Sequence, residues 1–99
     1  MACKIKIHPL VLKEDFKKIN PPLRKKILAT IEQRLSSNPK KYGEPLRGEF
    51  KRYYKLRVSE YRVIYEIIED KVLVLVIKVG IRRDFEVYNE MFYRLKKLP

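Results

Sequence analysis

Hydrophobic and polar positions follow two different periods in the first part of the chain. Lys4-Ile5-Lys6-Ile7-His8 alternates with period two, which predicts a short β-strand. Leu12, Phe16 and Ile19 then recur at helical spacing and predict one face of a short helix, which Asn20-Pro21-Pro22 ends. The chain is therefore predicted to begin with a strand and a short helix.

A second, longer helix is predicted to begin at Asn20, because asparagine is a favoured N-cap and proline is tolerated in the first helical turn. Its apolar side chains recur every four residues, with Leu28 beside them: Leu23, Ile27, Ile31 and Leu35. The pattern ends around Ser36-Ser37-Asn38-Pro39. The short connection between the two helices predicts an antiparallel helical hairpin.

Beyond a basic loop at residues 40–48, the period returns to two and predicts three successive strands. They cover residues 50–58, 61–68 and 71–79, with tight turns at Ser59-Glu60 and Glu69-Asp70. For the tail at residues 81–99 we expect one more short strand and a frayed helix that uses Phe92 and Leu95. The order β-α-α-β-β-β predicts an α+β fold, in which the N-terminal strand and the helical hairpin pack on a mainly antiparallel β-sheet.

The composition indicates one domain in a reducing compartment. A chain of 99 residues has room for a single core, so residues 1–99 are expected to form one domain. Cys3 is the only cysteine, which excludes an intramolecular disulfide and a thiolate metal site. The apolar run at 72–77 is far shorter than the roughly 20 residues that cross a bilayer, and no apolar leader precedes it. We therefore expect a cytoplasmic protein with no membrane partner.

The net charge is the feature that points to a partner. The chain has 24 Lys and Arg against 12 Asp and Glu, a net charge of +12. A small domain needs a net charge of only about 2–8 to stay soluble. The excess predicts a polyanionic partner: a nucleic acid, a ribosome or an acidic protein.

Basic and aromatic residues share one face of the first long strand. They are Lys51, Tyr53, Lys55 and Arg57. A two-residue turn at Ser59-Glu60 would place Arg57 directly across from Arg62, a like-charge pair that costs on the order of tenths of a kcal/mol. A row of Tyr, Lys and Arg suits RNA, because cations hold phosphates and a phenol stacks on a base. The alternative interpretation is a set of solvated edge residues on a basic protein.

More cations follow the last strand. Arg82 and Arg83 come just after Gly80, where loops at strand ends commonly carry function, and Tyr88 adds another phenol. The alternative is a charged loop, with Tyr88 as a core phenol that anchors the tail. The candidate RNA-binding residues are Lys51, Arg52, Tyr53, Arg57 and Arg83.

The residue inventory excludes several chemistries. His8 is the only histidine, so a ribonuclease built on two histidines is impossible, and its place beside Pro9 fits a surface or cap residue. Scattered acidic residues argue against a two-metal nuclease, and the isolated glycines form no phosphate-binding loop. Any catalytic groups are therefore expected among Lys, Arg and Tyr, with no metal and no cofactor.

Apolar positions also predict a partner. Five of them share the sheet face opposite Tyr54 and Leu56: Ile64, Ile68, Leu73, Leu75 and Ile77. Because the helical hairpin covers only one face, apolar area is left for a partner helix or for the tail. The alternative is that the tail covers this area alone, through Phe92 and Leu95.

The second half of the chain resembles a known family. The motifs are Leu46-Arg47-Gly48, Tyr54-Lys55-Leu56-Arg57, Tyr61-Arg62-Val63-Ile64-Tyr65, Val79-Gly80-Ile81-Arg82 and Glu86-Val87-Tyr88. They resemble the RelE branch of the RelE/ParE toxin superfamily of bacterial and archaeal type II toxin–antitoxin systems. The resemblance covers nearly the whole chain and implies a single RelE-like toxin domain.

The resemblance implies a ribosome-dependent mRNA endoribonuclease, an mRNA interferase that inhibits translation by cutting mRNA in the ribosomal A site. In such toxins the ribose 2′-hydroxyl attacks the adjacent phosphate without a metal. Lys55 matches a lysine in the proton-abstracting region, and Arg62 matches the arginine that steadies the phosphate. Arg82 matches the proposed general acid or phosphate ligand, and Tyr88 the tyrosine that orients or stacks on the cleaved nucleotide.

One position departs from the family pattern. Some relatives carry a second lysine two residues before the one that matches Lys55, whereas this chain has Tyr53. Lys51 and Arg52 are the nearest substitutes, although neither has the same position and facing.

The resemblance also implies partners, and two alternatives share the same features. The partners would be an acidic RelB-like antitoxin that covers the basic surface, and operator DNA bound by the complex. The first alternative is a ParE-type toxin, which has the same fold and inhibits DNA gyrase. Arg62, Arg82 and Tyr88 argue against it, because gyrase inhibition does not need that cluster. The second is a non-catalytic basic RNA-binding module, with salt-dependent binding and no cleavage.

Overall fold

The computed structural model describes residues 3–46, 48, 52–80, 90, 93 and 94. Its strands are Lys4–Ile7 (β1), Glu44–Pro45 (β2), Tyr53–Val58 (β3), Tyr61–Ile68 (β4) and Leu73–Gly80 (β5). They form one sheet in the order β1-β5-β4-β3-β2. β1 is parallel to β5, and the other neighbours are antiparallel, which confirms the predicted α+β fold with a mainly antiparallel sheet.

Three helical segments lie between β1 and β2. The first is a π-helical turn, Val11–Asp15, followed by a 3₁₀ turn, Phe16–Lys18; together they are α1. The second, α2, is the α-helix Pro21–Thr30, continued by a π-helical stretch, Ile31–Leu35. The α1–α2 pair is the predicted helical hairpin, and the short helix Pro39–Tyr42 is α3.

Asn20 begins α2 as predicted. Its side-chain Oδ1 accepts a hydrogen bond from the Leu23 N–H at 3.0 Å. This bond satisfies one of the N–H groups that a helix leaves unpaired in its first turn.

The buried face of α1 differs from the prediction at its first position. Val11 is fully buried, whereas Leu12 is 52% exposed. The prediction assumed about 3.6 residues per turn, but a π-helical turn closes i→i+5 hydrogen bonds and holds more residues. The wider turn therefore brings Val11, Asp15 and Phe16 to the inner face instead of Leu12.

The main core lies between the helical hairpin and one face of the sheet. Ile27, Ile31 and Leu35 of α2 are buried, as predicted. The sheet residues of the same cluster are Leu56, Val58, Tyr61, Val63, Tyr65, Val74, Val76 and Val79. Full burial of one aliphatic side chain stabilises a protein by about 1.5–3 kcal/mol, so this cluster supplies most of the driving force for folding.

The segment predicted as a basic loop contains two short elements, α3 and β2. Tyr65 attaches α3 to the sheet, because its buried hydroxyl donates a hydrogen bond to the Pro39 carbonyl oxygen at 2.6 Å. Burial raises the pKa of Tyr65 far above its ordinary value, so the hydroxyl keeps its proton. Gly43 passes so close to this ring that a Cβ there would overlap the Tyr65 hydroxyl. Both ends of α3 are therefore fixed against the sheet.

A second, smaller apolar cluster lies on the other face of the sheet, as predicted. A β-bulge at Ile64 and Tyr65 leaves Ile77 as the extra residue of β5. The buried members of the cluster are Leu46, Tyr53, Ile64 and Ile77, with Leu75 packed against them.

A buried ion cluster, which was not predicted from the sequence, joins α1, β5 and the C-terminal tail. The Asp15 side chain is 3% exposed and accepts hydrogen bonds from the Val79 N–H at 2.8 Å and from Lys78 Nζ at 3.2 Å. The Arg94 guanidinium donates to both Asp15 oxygens, at 2.8 and 2.9 Å. One carboxylate is thus shared by two buried cations.

Two outer carboxylates complete this cluster. Glu90 Oε2 lies 2.7 Å from Lys78 Nζ, and Glu14 Oε1 lies 3.2 Å from the Arg94 guanidinium. Burial by itself lowers the pKa of Arg94, but hydrogen bonds and attraction to Asp15 and Glu14 outweigh it and hold the pKa above its ordinary value. Arg94 therefore remains charged inside the fold.

The structure describes three residues of the C-terminal tail: Glu90, Tyr93 and Arg94. The other residues of the predicted tail strand and helix, including Phe92 and Leu95, lie outside the described residues. No helix in the described part of the chain is long and apolar enough to cross a membrane.

Replacing Asp15 by Asn is expected to lower the free energy of unfolding by about 3–5 kcal/mol, because it leaves Lys78 and Arg94 without the anion they share. Urea unfolding followed by circular dichroism measures the change. The control is Asp70→Asn at an exposed turn position, which should change this free energy by less than about 0.5 kcal/mol. Equally small effects of both substitutions would contradict the role of Asp15.

Replacing Gly43 by Ala is expected to lower the free energy of unfolding by about 1–3 kcal/mol, because the added methyl group overlaps the Tyr65 hydroxyl. In a Tyr65→Phe background the same substitution should lower the free energy of unfolding by less, since phenylalanine lacks the hydroxyl oxygen. Urea unfolding of the four proteins in this double-mutant cycle measures the coupling. The same cost in both backgrounds would rule out this contact as the cause.

Candidate functional site

Strands β3 and β4 carry the cations that the sequence singled out. Ser59-Glu60 forms the two-residue turn between them, and Ser59 adopts the left-handed conformation with φ of 56°. The resulting register pairs Arg57 with Arg62 and Lys55 with Ile64, as predicted. The two arginines therefore lie directly across from each other.

These cations line one open pocket of about 270 Å³. Lys55, Arg57 and Arg62 belong to its sheet wall, beside Leu56. Three further lining residues were not predicted from the sequence: Arg34 of α2, Tyr42 of α3 and Glu44 of β2. The structure thus brings together three of the predicted site residues and adds three more.

The three added residues come together through tertiary structure. Glu44 pairs with Lys55 in the register of β2 and β3, and this pairing brings β2 to the pocket. No periodicity connects Arg34 or Tyr42 with β3. The sequence signal that could have indicated them is the stretch Lys40-Lys41-Tyr42, where basic residues precede an aromatic ring.

The pocket carries an excess of positive charge. Its described lining includes four cations and a single carboxylate: Arg34, Lys55, Arg57, Arg62 and Glu44. Glu44 is 78% exposed and its Oε2 lies 4.0 Å from Lys55 Nζ, so solvent screening leaves their attraction weak. Arg62 donates to the Glu60 carbonyl oxygen at 3.2 Å, a contact that orients the side chain without adding a negative charge. Such a concentration of cations favours an anionic ligand, such as a phosphate.

A stack of cations on an aromatic ring forms the helical side of the pocket. The Tyr42 ring is 44% exposed. The Arg34 Cζ atom lies 5.8 Å from its centroid, and Lys41 Nζ lies 5.7 Å from it. Both distances fall within the roughly 6 Å at which a cation is attracted to the ring face. Tyr42 therefore holds two cations at the edge of the pocket.

Arg52 and Tyr53, both predicted to contact RNA, occupy different environments. Arg52 is exposed and donates to Glu66 Oε1 at 2.8 Å, and this hydrogen bond and charge raise its pKa. Tyr53 is 8% exposed within the second apolar cluster, and burial, together with Glu66, raises its pKa. The Arg52 Cζ atom also lies 5.6 Å from the centroid of the Tyr53 ring. Tyr53 therefore packs in the second apolar cluster beside Arg52, and its contact with RNA stays a prediction.

Four other predicted residues, Lys51, Arg82, Arg83 and Tyr88, lie outside the described residues. The described end of β5 is nevertheless informative, because Gly80 pairs with Arg62 in the register of β4 and β5. The last described residue of β5 therefore lies beside one of the pocket cations.

The remaining candidates are structural. His8 Nδ1 accepts a hydrogen bond from the Leu10 N–H at 3.1 Å, which is a capping role of the kind predicted. Cys3 is a free, half-buried thiol. Across the described ranges, no group of three or more His, Cys, Asp and Glu side chains could hold a metal ion.

Comparisons with known proteins give matches along most of the chain. Residues 5–84 match the family described as ParE toxin of type II toxin–antitoxin system. The mRNA interferase toxin RelE of Escherichia coli K12 is 36% identical over 83 residues, which cover 83% of this chain and 86% of that protein.

Solved structures support the same relationship. An E. coli RelE mutant in complex with an antitoxin RelBc peptide is 35% identical, with a TM-score of 0.66 and coverage of 91% of this chain and 94% of that chain. A chain of the toxin–antitoxin complex RelBE2 from Mycobacterium tuberculosis is 24% identical and covers 85% of this chain and 95% of its own, with a TM-score of 0.77. The second match shows a common fold.

Replacing Arg57 by Gln is expected to weaken the stabilisation of this protein by inorganic phosphate. Phosphate that binds the native state raises Tm, and the rise should be smaller when one of the two facing arginines is absent. Without phosphate, the variant should be up to about 0.5 kcal/mol more stable, because the like-charge pair is relieved. Thermal melts at constant ionic strength, with chloride as the balancing anion, measure both effects.

The matched control is Lys25→Gln, an exposed position of α2 away from the pocket. It also removes one positive charge, and phosphate should raise its Tm as much as it raises that of the wild type. An equal loss of phosphate stabilisation in both variants would contradict a specific anion site at the pocket.

Proposed function

This chain belongs to the RelE/ParE superfamily as a RelE-type toxin of a type II toxin–antitoxin system, and from that premise we propose that it is an mRNA endoribonuclease that cuts mRNA in the ribosomal A site. One observation of this structure carries the proposal: Lys55, Arg57 and Arg62 converge on a single pocket. The name of the E. coli relative, mRNA interferase toxin RelE, supports the same activity.

The proposed reaction is an intramolecular transesterification of the RNA. The ribose 2′-oxygen forms a bond to the adjacent phosphorus while the bond from phosphorus to the 5′-oxygen breaks. One proton leaves the 2′-hydroxyl and another is delivered to the 5′-oxygen, which yields a 2′,3′-cyclic phosphate and a 5′-hydroxyl. Negative charge grows on the phosphate oxygens during this step, and preoriented guanidinium groups stabilise it.

Each site residue has a proposed role in this reaction. Lys55 is proposed to take the proton of the 2′-hydroxyl in its neutral amine form, and Arg62 is proposed to bind the scissile phosphate. The family resemblance assigns Arg82 as general acid or phosphate ligand and Tyr88 as the group that orients the nucleotide. The residues proposed to contact the flanking RNA are Lys51, Arg52, Tyr53, Arg57 and Arg83.

We propose an acidic RelB-like antitoxin as the partner that neutralises this chain. The net charge of +12 favours an acidic protein, and Leu73 and Leu75 on the sheet face opposite the hairpin remain partly exposed. Solved relatives include RelE–RelB toxin–antitoxin complexes. The proposal extends to a cytoplasmic location and to operator DNA bound by the toxin–antitoxin complex.

A second candidate function is inhibition of DNA gyrase. The description of the matched family, ParE toxin, favours it. The two activities differ in chemistry, because gyrase inhibition requires binding alone and leaves RNA intact.

Replacing Arg62 by Ala is expected to lower the rate of mRNA cleavage on ribosomes by about 10²–10³-fold, because it removes a charge that stabilises the transition state. Arg62→Lys should recover part of this rate, since lysine keeps the charge but not the bidentate geometry. Primer extension locates the cut, and detection of 2′,3′-cyclic phosphate ends identifies the chemistry. The variants Lys55→Ala, Arg82→Ala and Tyr88→Ala test the remaining roles in the same assay, and growth arrest on induction reports toxicity.

Lys25→Gln serves as the control and should cleave as the wild type does. Unchanged cleavage by Arg62→Ala would refute the assigned site. Inhibition of gyrase supercoiling by a wild-type protein that leaves mRNA intact would establish the second candidate instead. Salt-dependent RNA binding with neither activity would identify a non-catalytic binding module.

A further inference from the structure

We propose that Arg34 and Tyr42 form a second phosphate subsite, which holds the RNA phosphate next to the scissile one. This inference rests on the proposed function, because it extends the same pocket on its helical side. Arg34 lies on α2, whose buried face contributes to the core, yet its own side chain is exposed and lines the pocket.

The described lining of the pocket holds two cations besides Lys55 and Arg62, which are the pair proposed to act at the scissile phosphate. These two are Arg34 and Arg57. The cations also come from two different walls: Lys55, Arg57 and Arg62 lie on the sheet, and Arg34 lies on α2. Two walls of cations across one pocket fit two successive phosphates of a single strand.

The geometry of Arg34 suits a backbone phosphate. Its guanidinium lies over the Tyr42 ring, with Cζ 5.8 Å from the centroid. A guanidinium attracted to a ring face makes no hydrogen bond to the ring edge, so its N–H donors can reach a phosphate, which accepts two parallel hydrogen bonds. No salt bridge among the described residues uses Arg34 or the neighbouring Lys41. Both cations are therefore available to a ligand.

Tyr42 is held in place before any ligand arrives. It ends α3, which Tyr65 fixes at one end through the hydrogen bond to the Pro39 carbonyl oxygen. At the other end, Gly43 lies in close contact with the same Tyr65 ring. A platform that is already fixed loses little conformational entropy on binding, so more of the contact energy contributes to affinity.

Binding of short RNA analogues to the full chain tests the subsite. The probes are a 2′-O-methyl dinucleotide with one phosphate and a 2′-O-methyl trinucleotide with two, neither of which has a 2′-hydroxyl to react. NMR titration at several salt concentrations gives the dissociation constants. For the wild type, the trinucleotide should bind more tightly, and its salt dependence should be steeper by about 0.7 in slope for the added phosphate contact.

Arg34→Ala should weaken trinucleotide binding about tenfold and reduce its salt slope to that of the dinucleotide, because one charged contact is lost. Its affinity for the dinucleotide should not change. Tyr42→Leu should also weaken trinucleotide binding, because it removes the ring. Tyr42→Phe keeps the ring and should bind the trinucleotide as the wild type does. Lys25→Gln is the charge-matched control and should leave both affinities unchanged.

Three results would overturn the subsite. The first is an Arg34→Ala variant that binds the trinucleotide as well as Lys25→Gln does. The second is an equal loss of affinity for the dinucleotide and the trinucleotide, which would indicate that Arg34 acts through its long-range charge and not through a contact with one phosphate. The third is unchanged trinucleotide binding together with weaker binding to ribosomes without mRNA, which would assign Arg34 to a ribosomal RNA phosphate.

The proposed function is tested by a different variant, Arg62→Ala. If Arg62→Ala still cleaves mRNA on ribosomes, the assigned nuclease site is refuted. The Arg34→Ala titrations still test the subsite in that case, because they measure binding of RNA analogues and not cleavage. If Arg62→Ala is inactive and Arg34→Ala binds both probes normally, the subsite is refuted and the nuclease site remains.

Discussion

The pairing of Arg57 with Arg62 is the constraint on which the pocket depends. The two-residue turn at Ser59-Glu60 fixes the register of β3 and β4, so Arg57 and Arg62 remain opposite each other unless the strand pairing changes. A like-charge pair at this position destabilises the sheet, whereas an acid opposite a base would stabilise it. The strand pairing therefore maintains a positive field that local interactions oppose, and an anion that enters the pocket relieves it.

Carboxylates divide the cations of this chain into two kinds. Lys78 and Arg94 share the buried Asp15 and each gain an outer carboxylate, so their charges are satisfied within the fold. The described lining of the pocket, by contrast, contains Glu44 alone, and that side chain is mostly solvated. The distribution of acids thus distinguishes Lys78 and Arg94, which hold the structure together, from Arg34 and Arg57 of the pocket, which form no salt bridge with another described residue.

Regular elements were predictable from the sequence because each leaves a local pattern. The period of two gave the strands, Asn20 before Pro21 gave the start of α2, and the turn at Ser59-Glu60 gave the pairing of Arg57 with Arg62. Leu12 was misplaced because the spacing rule assumes an α-helix and α1 begins with a π-helical turn. The short elements α3 and β2 have no apolar period of their own and depend on contacts with Tyr65 and β3.

The site was predictable only where it follows strand register. Lys55, Arg57 and Arg62 lie on paired strands, so a correct register brings them together. Arg34 and Tyr42 reach the same pocket through the packing of α2 and α3 on the sheet, which no spacing along the chain encodes. The burial of Tyr53 was not predictable for a related reason: alternation along β3 indicates its face of the sheet, but only the packing of the neighbouring strands places Ile64 and Ile77 beside it.

Strand β1 ends before its partner β5 does, so the last residues of β5 have no β1 residue beside them. β1 pairs with β5 only from Leu73 to Val76, and β5 continues to Gly80. Along this extension, the Asp15 carboxylate occupies the Val79 N–H and the Arg94 guanidinium occupies the Ile77 carbonyl oxygen. An open strand edge is a template for aggregation, because its unpaired backbone groups can form hydrogen bonds with a strand of a second molecule. The Val79 N–H and the Ile77 carbonyl oxygen are therefore not available for strand pairing with a second molecule.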